Sequence, residues 1–143
     1  MATETVLLVD DEVEFVTTLA ERLTARGMRV DTAHSGDEAL SKARQQTYDT
    51  IVLDLAMPGM DGLETLQHLM SDHPDLQIIL LTGQGTIKTA VEATKLGAKD
   101  FLEKPTDIDK LQEKIRTGRG ERLKLESARS VEEIEDILSR RGW

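Results

Sequence analysis

The sequence predicts an α/β fold: a doubly wound, five-stranded parallel sheet with helices on both faces, followed by a C-terminal helical tail. Two observations carry this expectation. Five short β-prone apolar runs alternate with segments whose apolar residues recur at helical spacing. The first run, Thr5–Val9 (TVLLV), is almost continuously apolar, as a strand covered on both faces must be. Successive βα units of this kind close with right-handed crossovers.

Each element has its own signal. After Thr5–Val9, the residues Phe15, Val16, Leu19, Ala20 and Leu23 form a helical stripe that Gly27 ends. Met28–Ala33 reads as a weaker, alternating strand. Ser35 with Glu38 is a capping-box pair, opening a helix that buries Ala39, Leu40 and Ala43. Thr50–Leu53 is the third strand and ends at Asp54, followed by a loop marked by Met57-Pro58-Gly59 and Asp61-Gly62. Leu63, Leu66, Leu69 and Met70 define the third helix, and Gln77–Leu81 the fourth strand. A helix with Ile87, Ala90 and Val91 runs up to Gly97, Lys99–Leu102 is a short fifth strand, and Ile108, Leu111 and Ile115 line a last helix.

Composition bounds the function. The chain has 143 residues, 38% hydrophobic and 31% charged, which fits one folded domain rather than a disordered segment. With no cysteine, disulfides and thiolate metal sites are excluded. No apolar stretch approaches the roughly 20 residues that span a bilayer, and Met1 to Thr5 carries no secretory pattern, so a cytoplasmic protein without membrane contact is expected. Residues 1–103 hold 8 Lys/Arg and 18 Asp/Glu, a net −10, whereas residues 104–143 hold 10 and 9, a net +1. The acidic front part disfavours direct nucleic-acid binding. It is compatible with a site that collects a cation and equally with simple solubility.

In open parallel sheets, ligands bind beyond the carboxyl ends of the strands. At those ends stand Asp10, Asp11 and Glu12 after the first strand, Asp54 after the third, Thr82 and Gly83 after the fourth, and Glu103, Lys104 and Pro105 after the fifth. Taken singly, the acid pair serves a helix N-terminus, Asp54 a turn, Thr82 a helix cap and Lys104 the surface. Together they place carboxylates in one cleft, where like charges oppose each other's ionisation. A proton or a metal relieves such a cluster, and an all-oxygen donor set suits a hard cation, Mg²⁺ best. One lysine and a divalent ion beside an exposed carboxylate make a receptor for a phosphoryl group, with the carboxylate as nucleophile and the Thr82 hydroxyl as a donor to a phosphoryl oxygen.

The stretches LLVDDE (Leu7–Glu12), VLDLAMPGMDG (Val52–Gly62), LLTGQGT (Leu80–Thr86) and KLGAKDFLEKP (Lys95–Pro105) together resemble the receiver domain of two-component response regulators, over about residues 5–117. The resemblance implies a flavodoxin-like (βα)5 fold and a phosphorylation-dependent signalling switch. It implies that Asp54 accepts the phosphoryl group, that Asp11 binds Mg²⁺ directly, that Asp10 holds it largely through water, and that the Ala56 carbonyl adds a ligand. Lys104 would pair with the phosphoryl group, Thr82 would move toward it, Phe101 would turn inward in response, and the Lys104-Pro105 bond would be cis. The donor would be a histidine kinase or a histidine phosphotransfer protein, and phosphorylation would favour a homodimer. Such a protein assists its own modification without being a turnover enzyme. Ala56 has no polar side chain to orient an attacking water, so slow self-dephosphorylation is expected. The loops look closest to receivers attached to transcription regulators.

Other motifs fail. Gly83-Gln84-Gly85 lacks the third glycine of a dinucleotide fingerprint, because position 88 is Lys88. His34, His68 and His73 are scattered and read as surface or packing residues. A phosphatase working through an aspartyl phosphate would carry its nucleophile at the first strand, which lacks that spacing. A receiver fold used only as an interaction module would not need the complete set of acids, hydroxyl and lysine. Residues 1–117 are thus expected to form the receiver domain and 118–143 a linker and short helical tail, with Thr117-Gly118-Arg119-Gly120 breaking the helical pattern and Arg116, Arg119, Arg122 and Lys124 on a solvated face. Ser130 with Glu133, and the stripe Val131, Ile134, Ile137 and Leu138, give the tail a helix. It would serve as a docking helix or an oligomerisation element, or fold back on the domain.

Overall fold

The computed structural model describes residues 3–55, 62–83, 87–104, 107–120, 123 and 125. Strands and helices alternate as β1 (Thr5–Val9), α1 (Val13–Ala25), β2 (Arg29–Ala33), α2 (Gly36–Gln45), β3 (Thr50–Asp54), α3 (Gly62–Asp72), β4 (Gln77–Thr82), α4 (Ile87–Lys95) and β5 (Asp100–Glu103). A last helix, α5, covers residues 108–120. All strand pairs are parallel and the spatial order is β2-β1-β3-β4-β5. The chain therefore leaves β1 in one direction to form β2 and in the other to form β3. That reversal opens a crevice at the carboxyl ends of β1 and β3.

Strand periodicity sorts the core into two layers, because successive side chains point to opposite faces. Leu7, Val9, Ile51, Leu53, Ile78 and Leu80 pack with Ala39, Leu40 and Ala43 of α2, Leu66 and Leu69 of α3 and Ala93 of α4. Their neighbours Val6, Leu8, Val52, Ile79 and Leu81 pack with Val16, Leu19 and Leu23 of α1 and with Leu111 and Ile115 of α5. Every residue of β3 and β4 is buried, and the middles of the two strands, Ile51–Leu53 and Ile78–Leu81, are apolar throughout.

The punctuation acts through definite geometry. Gly27 takes φ 92° after α1, and its N–H and that of Met28 donate to the carbonyls of Thr24 and Leu23. Gly97 repeats this after α4 with φ 116°, where Gly97 and Ala98 donate to Thr94 and Ala93. Both are Schellman closures, in which the left-handed residue lets the last carbonyls find donors. Ser35 caps α2 by accepting from the Glu38 N–H, as expected. The Glu38 carboxylate reaches one residue further back than a capping box requires and accepts from the His34 N–H at 3.0 Å.

Three expectations need correction. First, α5 does not break at Thr117; it continues through Gly118, Arg119 and Gly120. Gly118 is there for close approach rather than as a breaker, since a Cβ at that position would lie 3.1 Å from Gln77 Cβ and from Thr50 Oγ1 at the amino edge of the sheet. Second, Arg119 is not on a solvated face: its guanidinium is mostly buried and lies 3.7 Å from Asp49. Third, of the α4 stripe Val91 is exposed, while Ala93, which the stripe did not include, is buried in the core. Ala56, Gln84, Pro105 and the tail residues 126–143 lie outside the described residues, and with them the expectations about the cis bond, the Ala56 carbonyl and the tail helix. Among the described residues, no helix is long and apolar enough to cross a membrane.

Candidate functional site

The site grows from the ends of β1, β3, β4 and β5. Past Val9 the main chain stays in register, because the Asp10 N–H donates to the Ala33 carbonyl of β2 at 3.0 Å. The Asp10 Oδ1 atom accepts from the Glu12 N–H at 2.9 Å, turning the chain into α1. Asp10 is only 1% exposed, while Asp11 beside it is exposed. Asp54 ends β3 opposite Leu81 of β4 and is 4% exposed. Thr82 follows on β4 at 2%. The Lys104 N–H donates to the Thr82 carbonyl at 2.8 Å, which fixes the start of the lysine side chain at the rim of the crevice. Gly62, the first residue of α3, abuts the backbone just past Asp54. A Cβ there would lie 2.4 Å from Leu55 Cα and 2.8 Å from the Asp54 carbonyl oxygen, so no larger residue fits this approach.

Lys104 is the hub of the charges. Its Nζ lies 2.6 Å from Asp10 Oδ2, 3.3 Å from Glu12 Oε1 and 3.6 Å from Asp54 Oδ2. It also sits 4.6 Å from the centroid of the Phe15 ring. Burial raises the pKa of Asp10; the Lys104 ammonium and the Glu12 N–H oppose the rise and the Asp54 charge adds to it, leaving Asp10 above its ordinary value. Burial pulls Lys104 down, but Asp10, Asp54 and Glu12 outweigh it, and its pKa is raised.

Carboxylate oxygens of Asp10, Asp11 and Asp54 lie within 4.8 Å of one another, the spacing of a metal-binding cluster. Asp10 Oδ2 is buried and has no aligned hydrogen-bond donor, although the ammonium is close. An anionic oxygen of this kind, beside two further carboxylates and no sulfur or imidazole ligand, fits a hard divalent cation.

Of the residues singled out in the sequence, Asp10, Asp11, Asp54 and Lys104 gather in the crevice, and Thr82 joins them at the end of β4. The Thr82 hydroxyl donates to the Leu102 carbonyl of β5 at 3.4 Å. Phe101, opposite Leu80 in register, is 37% exposed, outside the cleft. In sequence Glu12 is only a third acid, and its contact with Lys104 comes from the fold. Phe15 stands in sequence only on the helical stripe, because an apolar residue at that spacing carries no mark of facing a cation.

An open parallel sheet whose crevice gathers three carboxylates and one lysine at the reversal of strand order has the donors of a divalent-cation site at the usual ligand position of such sheets. The response regulator receiver domain family matches residues 6–116, and the chain belongs to that family, whose members are phosphorylation-dependent switches of two-component systems. The transcriptional regulatory protein ZraR of Klebsiella oxytoca is 41% identical over 107 residues, covering 75% of this chain and 24% of that protein. The acid tolerance regulatory protein ActR of Rhizobium meliloti is 38% identical over 120 residues, covering 84% of this chain and 62% of ActR. The chain thus spans about a quarter of the length of ZraR. Among solved structures, the receiver domain of NtrX from Brucella abortus is 34% identical with a TM-score of 0.77, covering 80% of this chain and 98% of that one.

Proposed function

We propose that Asp54 is the phosphoacceptor of this receiver and that Asp10, Asp11, Asp54 and the Ala56 carbonyl hold Mg²⁺ beside it. The observation that carries the reading is the position of Asp54 Oδ2, 3.6 Å from the Lys104 ammonium within the cluster of acidic oxygens. A bound Mg²⁺ supplies charge that offsets the mutual repulsion of these carboxylates and of the incoming phosphoryl oxygens. An Asp54 oxygen forms the new P–O bond while the P–N bond of a donor phosphohistidine breaks and the imidazole leaves with the bonding pair. Lys104 then moves from carboxylates to a phosphoryl oxygen, and the Thr82 hydroxyl exchanges the Leu102 carbonyl for another. Phe101 follows Thr82 inward. Thr82 and Phe101 thereby turn a local charge change into a surface change by favouring one of two conformations.

The donor in this reading is a histidine kinase or histidine phosphotransfer protein, and the phosphorylated form dimerises. The protein works in the cytoplasm, binds neither nucleic acid nor membrane through this chain, and is not a turnover enzyme. We place the receiver unit at residues 1–117 and a linker with a short helical tail at 118–143, with the last helix of the unit crossing that boundary. With an alanine, Ala56, two residues after the acceptor in sequence, the phosphorylated form outlives seconds in the purified protein. Treatment with a small phosphodonor tests the core of the reading. A base-labile, Mg²⁺-dependent mass gain of one phosphoryl group that vanishes in Asp54→Asn is expected; retention of the gain in Asp54→Asn would overturn it.

A further inference from the structure

We propose that Phe15 is a positioning residue for Lys104, its ring forming the seat on which the ammonium waits between Asp10 and Asp54. The proposal rests on the reading of Asp54 as phosphoacceptor. Four groups touch or face Lys104 Nζ: the carboxylates of Asp10, Glu12 and Asp54, and the Phe15 ring at 4.6 Å from its centroid. Three are anions that compete for it, and two of these, Asp10 and Asp54, are engaged by any metal in the cleft. The ring is the one partner among the four whose attraction for a cation is unaffected by metal or phosphoryl group, because it comes from a fixed quadrupole rather than a titrating charge.

Geometry limits what else could hold the side chain. Lys104 Nζ stands on an unbranched stem, so its position is set by whatever surrounds it. The lysine side chain is 17% exposed, and a cation–ring contact strengthens as the cation loses water. Phe15 lies in the first turn of α1, which starts at Val13 just after the acid pair. It also packs on the core layer built from Val16, Leu19 and Leu23, and so cannot move away without disturbing that layer. The ring is thus tied to the same segment that carries Asp10 and Asp11. When Asp10 and Asp54 turn to the metal, the ammonium keeps the ring beneath it and Glu12 at the mouth of the cleft, and stays within reach of the acceptor.

The test uses the full chain with Phe15→Leu, Phe15→Met, Phe15→Tyr and Phe15→Trp. Leu and Met keep apolar volume without a ring; Tyr and Trp keep the ring. Two readouts are taken. In metal-free protein, the Lys104 ε-methylene protons are followed by NMR, where an aromatic ring beneath them shifts their resonance upfield. The saturating rate and the half-saturating concentration of a small phosphodonor are then measured with Mg²⁺. The upfield shift is expected to vanish in the Leu and Met variants and to persist in the Tyr and Trp variants. The saturating rate is expected to fall about three- to tenfold without the ring, at an unchanged half-saturating concentration, and to recover with Tyr or Trp. A Leu variant that folds and phosphorylates at the wild-type rate overturns the proposal, as does a rate loss that Tyr fails to rescue. If wild type takes no phosphoryl group at Asp54, the broader reading fails, while the NMR comparison still decides whether the seat exists.

Discussion

Both ends of the sheet bury an aspartate, and they treat it in opposite ways. At the amino edge, Asp49 is 4% exposed and its Oδ2 accepts from the Thr5 N–H at 2.9 Å and from the Thr5 hydroxyl at 3.2 Å, with Arg119 of α5 at 3.7 Å. Its own N–H donates to the Thr5 carbonyl at 2.9 Å. These donors belong to a strand and a helix and hold still. At the carboxyl edge, Asp10 is as deeply buried, but one oxygen has only a lysine ammonium nearby, with no aligned hydrogen bond, and a second carboxylate close by. The difference separates a carboxylate that completes the fold from one that waits for a ligand, and burial alone does not tell them apart.

Removing each acid should therefore move stability in opposite directions. Asp49→Ala strips a partner from two donors of Thr5 and from a largely buried guanidinium, and is expected to destabilise by about 3 kcal/mol in denaturant melts. Asp10→Asn keeps a side-chain oxygen for the Glu12 N–H and removes a charge that burial opposes, so metal-free protein is expected to gain about 1 kcal/mol. The pH dependence follows from the raised pKa of Asp10. Its contribution favours the fold at pH below its unfolded pKa and is lost as pH rises through the folded one. Added Mg²⁺ is expected to reverse that loss, by about 2.7 kcal/mol at a hundred times its dissociation constant, and to do little for Asp10→Asn. Equal Mg²⁺ stabilisation of both proteins would erase the contrast between the two edges.

A smaller effect comes from Tyr48, the sole tyrosine of the chain. Burial, with a hydrogen bond from its hydroxyl to Asp31 at 2.7 Å, pushes its pKa up to about 12. A neutral phenol is favoured in the fold, so the stabilisation is present below a tyrosine's ordinary pKa of 10.0 and is lost between there and about 12. Tyrosinate absorbance is expected to rise near pH 12 in native protein and to shift down in Asp31→Ala. The smallest effects distinguish two glycines of α5. No atom lies within 4 Å of a Cβ built on Gly120, so Gly120→Ala is expected to stabilise by about 0.5–1 kcal/mol through helix propensity. Gly118→Ala meets Gln77 and Thr50 and should lose that gain or more. If neither change alters the melting midpoint, the helix does not run through these positions.

The sheet, its two-faced core and the acidic crevice were legible in the sequence because each rests on a periodic or positional rule. The nearly continuous apolar run Thr5–Val9 marked a strand covered on both faces, and strand ends located Asp10, Asp54, Thr82 and Lys104. What escaped was set by neighbours distant along the chain. Gly118 looks like a breaker until β3 and β4 are packed beside it. Arg119 looks solvated until Asp49, far away in sequence, comes alongside. Phe15 looks like core until Lys104 arrives from β5. Each is a long-range encounter with no local signature.

Strand β3 carries Asp54 at one end and Thr50 at the other, and Thr50 is a residue against which Gly118 rests. Five residues of extended chain, on the order of 15 Å, thus connect the proposed acceptor to the footing of the final helix. Any segment continuing from that helix takes its bearing from the strand that ends in the acidic crevice, and a fully buried rod joins the two tips.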